Sequence, residues 1–174
     1  GSYIIEQEMP FPVEEASFQV GDEIVRDRFG LSGRKINLSW KDQINKENYY
    51  QIKIYLINPE DGSFFTSFLD DLDPRTNAEF VFNERIVISD QGFDGRNISL
   101  DLNASDATDL LQVHSVEITN INKDWYDLIR SYNNYTALEV DINNGYVEPF
   151  VVLSNVPDGF GFFLLGNKSI FLRQ

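Results

Sequence analysis

Apolar and polar residues alternate most cleanly from Arg34 to Trp40, where Asn37 and Ser39 separate Ile36, Leu38 and Trp40. A period of two predicts a strand with one apolar and one wet face. The polar stretch Lys41 to Asn48 leads into Tyr49 to Ile57, in which Tyr50, Ile52, Ile54 and Leu56 share a face. These runs read as neighbouring antiparallel strands joined by a short loop. Asn58-Pro59-Glu60-Asp61-Gly62 is a turn signal, because Pro presets φ and Gly accepts φ > 0. Further strands are expected at Glu79 to Ile88, at Ile98, Leu100 and Leu102 after the loop Ser89 to Asn97, and at Gln112 to Ile121. Phe18 to Phe29 reads as a strand pair around Gly21-Asp22. Phe160 to Leu165 and Ser169 to Leu172 read as a hairpin turning at Gly166-Asn167-Lys168.

The helical signal is confined to about residues 122–135. Asn122 is a suitable N-cap and Asp124 suits the positive end of the helix dipole. Trp125, Leu128, Ile129 and Tyr132 follow at i, i+3, i+4 and i+7, forming one apolar stripe that predicts packing on a sheet. Many short strands with one helix predict a mainly β fold, an antiparallel β-sandwich carrying one amphipathic helix. Residues 1–17, with Pro10 and Pro12 among acidic residues, read as an extended arm, and 18–174 as one sandwich domain.

Composition narrows function by exclusion. The chain holds 174 residues with 14 Phe, 8 Tyr, no Cys and one His, and its formal charge is −14. Such acidity argues against nucleic acid and anionic membrane surfaces as partners. Without Cys there are no disulfides, no Cys-ligated zinc and no thiol nucleophile. No run approaches the roughly 18 apolar residues of a membrane span. Gly1-Ser2 reads as an expression remnant, so a native leader is expected ahead of this segment.

Candidate chemistry is sparse. His114 falls in phase with Val116 and Ile118, which predicts a buried or edge-packed histidine in place of a general base or metal ligand. Paired carboxylates are the raw material of a hydrolase, yet 28 Asp and Glu guarantee such pairs by chance. Calcium, which takes about six to eight oxygens, has two candidate loops. One gathers Asp70, Asp71 and Asp73; the other gathers Asp90, Asp94 and Asn97 around Gly92 and Gly95. Solvated turns are the plainer reading of both, and no other cofactor is expected. Tyr49, Tyr55 and Phe64, on or beside the outer face of their strands, are the candidates for stacking on sugar rings. Packing against a further domain is the competing explanation.

Several segments together resemble a family of exported lipoproteins of Bacteroidota, the domain of unknown function family 4249. They are Met9-Pro10-Phe11-Pro12-Val13, Ile36-Asn37-Leu38-Ser39-Trp40-Lys41-Asp42 with Asn48-Tyr49-Tyr50, and Ser89-Asp90-Gln91-Gly92-Phe93-Asp94-Gly95. Val116-Glu117-Ile118 leading to Trp125-Tyr126 follows, and Glu148-Pro149 through Phe162-Phe163 is similar to the family's closing run. The resemblance implies the C-terminal portion of a cell-envelope lipoprotein whose N-terminal β domain, signal peptide and lipidated Cys lie elsewhere. It implies an outer-membrane or surface location, membrane contact only through the lipid anchor, and association with TonB-dependent nutrient uptake. The expected function is therefore a non-enzymatic accessory or binding domain with an outer-membrane receptor subunit as partner. A glycan-binding surface module and a carboxylate-based hydrolase are the alternatives. No catalytic residue is implied.

Overall fold

The computed structural model describes residues 6–26, 30–71, 79–81, 84–131 and 164–173. Strands β1 (Ala16–Arg26), β2 (Ser32–Lys41), β5 (Phe68–Asp71) and β8 (Asn97–Ser105) form a first sheet in the order β1-β2-β8-β5. The second sheet runs β10 (Gly166–Leu172), β9 (Gln112–Ile121), β3 (Tyr49–Ile57), β7 (Arg85–Ser89), β6 (Glu79–Val81), with β4 (Phe64–Thr66) paired to the end of β3. All pairings are antiparallel. With β4, β6 and β7 set aside, the strand order is that of the seven-strand immunoglobulin-type sandwich, a likeness of architecture alone.

The alternating residues make the core. Ile36, Leu38 and Trp40 of β2 and Ile98, Leu100 and Leu102 of β8 meet Tyr50, Ile52, Ile54 and Leu56 of β3 and Val116 and Ile118 of β9. Each is essentially removed from water, a contribution of about 1.5–3 kcal/mol per large aliphatic side chain before entropy is counted. A second, smaller cluster lies on the outer face of the second sheet, where the helix over residues 123–131, α1, covers Tyr49, Val87 and Ile121. Tyr126 and Ile129 are its buried residues, so the covering stripe is rotated one position from the Trp125–Leu128–Ile129 line, with Leu128 only half-buried. Asn122 caps it, its Oδ1 accepting from Trp125 N at 3.2 Å. Residues 132–135 of the predicted helix lie outside the described residues.

Four expectations are corrected. β2 and β3 are not neighbours: β1 and β8 occupy both edges of β2, while β9, β7 and β4 flank β3. The loop between them crosses the roughly 10 Å between sheets, and the two apolar faces look at each other. The predicted strand pair around Gly21-Asp22 is one strand, β1, with a bulge between Val20 and Ile24. Phe29 lies outside the described residues. The single strand expected from Glu79 to Ile88 is a pair, β6 against β7, with Val81 opposite Arg85. Gly166-Asn167-Lys168 is no hairpin turn, because these residues pair with Ile121, Asn120 and Thr119 inside β10. Gly166 is needed for space: a Cβ there would stand 2.9 Å from Thr119 Cγ2 and 3.0 Å from the Trp125 ring. The run Glu148 to Phe163 lies outside the described residues.

The turn at Asn58–Gly62 forms as expected. Gly62 adopts φ 73° and its N–H donates to Asn58 O at 2.8 Å, while Asn58 Oδ1 accepts from Glu60 N. Residues 6–15 have no regular structure, but Val13 is buried in the main core and Gln7 bonds to both Asn122 and Asp124.

Candidate functional site

At one end of the sandwich, the loops after β2 and β7 are clasped by carboxylates. Asp42 Oδ1 accepts from Tyr50 OH at 2.5 Å and from Asn48 Nδ2, while its Oδ2 accepts from Gly95 N at 2.9 Å. Asp90 Oδ2 accepts from Asn48 N at 2.8 Å, and Asp94 Oδ1 accepts from Asn45 N at 2.7 Å. Burial pushes the Asp90 carboxyl up, and the nearby Asp42 charge adds to that, against the pull of the Asn48 hydrogen bonds. These are loop-fixing contacts, each carboxylate satisfying backbone or amide donors that a loop would otherwise leave unpaired.

The calcium candidates do not converge. Asp90 and Asp94 face protein donors, and Asn97 is exposed at the start of β8, opposite Lys41. Asp70 is buried in β5 opposite Asn103, Asp71 ends the same strand, and Asp73 lies outside the described residues. Among the described residues, no three carboxylates or histidines gather at metal-binding distance.

Beside the clasp, a cavity of about 430 Å³ opens between the N-terminal arm and the loop after β2, lined by Phe11, Val13, Asp42, Ile44, Tyr50 and Asn120. Lys46 closes its rim, with Nζ 4.4 Å from the Phe11 ring centre and paired with Glu8. Neither Asp42 nor Asp90 stands free to meet a substrate, since each carries the hydrogen bonds that hold its loop.

The three aromatic candidates separate. Tyr49 is buried beneath α1, its ring 4.6 Å from Tyr126, and so presents no face to a sugar. Tyr55 donates to Glu117 Oε2 at 2.8 Å, and burial together with that bond pushes its phenol up to about 12. Glu117, only 2% exposed, also pairs with Lys168 at 3.0 Å. Phe64 alone is open, at 59% exposure.

Phe64 belongs to a feature that the alternation pattern did not single out. β9 bulges where Tyr55 pairs with Ser115 and Leu56 with Val113, leaving His114 as the extra residue. The bulge takes His114 out of phase with Val116 and packs its ring edge-on against Phe64, 5.1 Å between centroids. Leu172 is opposite Ser115 on β10, and Ile170 lies one step further on the same face; they are 62% and 55% exposed. Exposed Phe64, Leu172 and Ile170, with half-buried His114 beside Phe64, thus lie in one largely apolar band across the outer face of the second sheet. Its sequence signal was the unbroken apolar run Ile170-Phe171-Leu172, which departs from alternation.

No family model, no curated protein and no solved structure matches this chain. Among the described residues no helix is long and apolar enough to cross a membrane.

Proposed function

We propose that this chain is a non-enzymatic binding module of a bacterial cell-envelope lipoprotein, and that its partner is a protein, an outer-membrane receptor subunit of TonB-dependent uptake. The observation that carries the protein-binding reading is the exposed band from Phe64 through His114 to Leu172 and Ile170. Contiguous apolar surface of this kind is typical of sites that meet another protein, whereas single exposed aliphatics are ordinary. A sugar platform calls for a row of accessible rings, and Tyr49 beneath α1 cannot join Phe64 in one. The structural duties of Asp42 and Asp90 favour a binding role over hydrolysis. Cell-envelope placement and the receptor class rest on the sequence resemblance.

The test is affinity purification of the full-length lipidated protein from its native envelope, beside a Phe64→Asp variant. The wild type is expected to retain one outer-membrane subunit in stoichiometric amount, and the variant to lose it by roughly tenfold or more, as for a central interface aromatic. Equal retention by both proteins, or no retained protein at all, would count against the reading.

A further inference from the structure

β10 stands at a sheet edge, and its C-terminal half is the unbroken apolar run Ile170-Phe171-Leu172. Among the described residues nothing pairs with its outer side. Its ladder to β9 shows which backbone groups that leaves open. Asn122 N donates to Leu165 O, and Arg173 N donates to His114 O. In an antiparallel ladder the direction alternates residue by residue, so odd-numbered residues turn toward β9. The N–H and C=O groups of Lys168, Ile170 and Leu172 therefore point away from it.

Natural edge strands are usually guarded by charge, proline, bulges or cover. β1, the edge of the other sheet on this side, follows that rule, with a bulge at Gly21-Asp22-Glu23. β10 does not. Ile170 and Leu172 are exposed on its outer face, and Phe171 on its inner face packs against the core. Apolar residues on both faces are the mark of a strand covered on both sides and flanked by neighbours. Between β10 and β1 lies an opening of about 690 Å³ lined by Phe18, Val20, Phe171 and Arg173. Arg173 is exposed and makes no ion pair within the described residues.

We propose that β10 receives an extended strand from a different protein, added to the edge that is unpaired among the described residues, with apolar residues at alternate positions and a carboxylate facing Arg173. The strand would pair with the open groups of Lys168, Ile170 and Leu172. Its inward side chains would cover Phe18, Val20 and Phe171, and its outward ones would lengthen the band at Ile170 and Leu172. A second copy of this chain is a poor occupant, since two proteins of charge −14 repel. The proposal rests on the protein-binding reading and adds to it how the partner is held.

The probe is a synthetic peptide of about ten residues, alternating valine and threonine with a terminal aspartate. Two companions carry N-methyl groups on alternate residues or lysine in place of the aspartate. Amide exchange is followed by NMR on the intact chain. The first peptide is expected to slow exchange at Lys168, Ile170 and Leu172, and N-methylation to weaken binding by roughly tenfold or more through the lost main-chain bonds. Exchange for lysine is expected to weaken it by a smaller factor. Unchanged exchange at those amides with the peptide at millimolar concentration, or equal binding of the N-methylated peptide, overturns strand addition. A dimer that protects the same amides without peptide names a second copy as occupant and overturns the proposal as well. Envelope purification with Phe64→Asp reads the apolar band without touching the backbone edge of β10, so the broader reading can survive this failure.

Discussion

Trp40 and Tyr50 meet edge to face across the sandwich, 5.3 Å between ring centroids, one from each sheet. The Tyr50 hydroxyl reaches past the core to Asp42, and burial together with that bond raises its pKa far above the ordinary phenol value. One residue therefore joins core packing to the loop clasp.

Tyr50→Phe separates the two roles, since it keeps the ring and removes the hydroxyl. Asp42 Oδ1 is then left with Asn48 alone at a buried site. A loss of about 1–3 kcal/mol is expected in urea unfolding. Trp40→Ala, which opens the core itself, should cost about 3–5 kcal/mol. Equal costs for the two variants would mean that the clasp is no separate source of stability.

Asn122 ties three segments together. Its Oδ1 accepts from Trp125 N and from Leu165 N, and its Nδ2 donates to Gln7 Oε1 at 2.9 Å. Asn122→Ala should lower stability by about 1–2 kcal/mol, the upper range for a lost helix cap. It should also speed protease cleavage within the arm, because Gln7 loses an anchor. Asn122→Asp keeps the acceptor and is expected to restore the melting midpoint in part, without restoring the arm's protection.

Gly33 sits in β2 opposite Ser105 of β8. A Cβ there would lie 2.1 Å from Ala104 O and 2.7 Å from Ser105 Cα, both backbone atoms that cannot move aside without breaking the ladder. Gly33→Ala is expected to cost about 3 kcal/mol, at the upper end for overpacking. A variant within 0.5 kcal/mol of wild type, roughly the spread of neutral surface changes, would mean that the ladder shifts freely at this point.

Two buried carboxylates should give opposite pH responses. Burial of Glu117 opposes its charge, but hydrogen bonds from Lys168 and Tyr55 and the charges of Lys168 and Lys53 outweigh it, holding the group below its ordinary 4.5. Its stabilisation is thus present above pH 4.5 and lost as pH falls through the lower folded value. Asp90, raised above 3.8 chiefly by burial, contributes most when protonated below pH 3.8, and that contribution is lost as pH rises through its folded value. Urea midpoints measured from about pH 3 to about pH 7 should show a flatter acid limb for Glu117→Gln and a steeper net rise with pH for Asp90→Asn. Unchanged profiles in both would remove these groups from the acid response.

What the sequence determined by itself was the local state of most strands and the face each would bury. Ile36-Leu38-Trp40, Tyr50 to Leu56, Ile98 to Leu102 and, past the bulge at His114, Val116 and Ile118 alternate because a pleated strand sends successive side chains to opposite sides, and each became part of a core strand. The Asn58–Gly62 turn and the Asn122 cap were legible for the same reason, as local backbone chemistry. Tertiary structure alone decided the neighbours. Alternation states that β2 and β3 each have an apolar face, but it is the same whether those faces lie side by side or opposed across two layers. Gly21-Asp22 carried turn chemistry that served a bulge, and Gly166 was a glycine for want of space beneath Trp125. Among the candidate residues, Tyr49 was lost to α1, and Phe64 was packed against His114 and set on the same sheet face as Ile170 and Leu172, placements made between segments far apart in the chain. No local pattern encodes which strand ends a sheet, because an edge is defined by what does not pair with it.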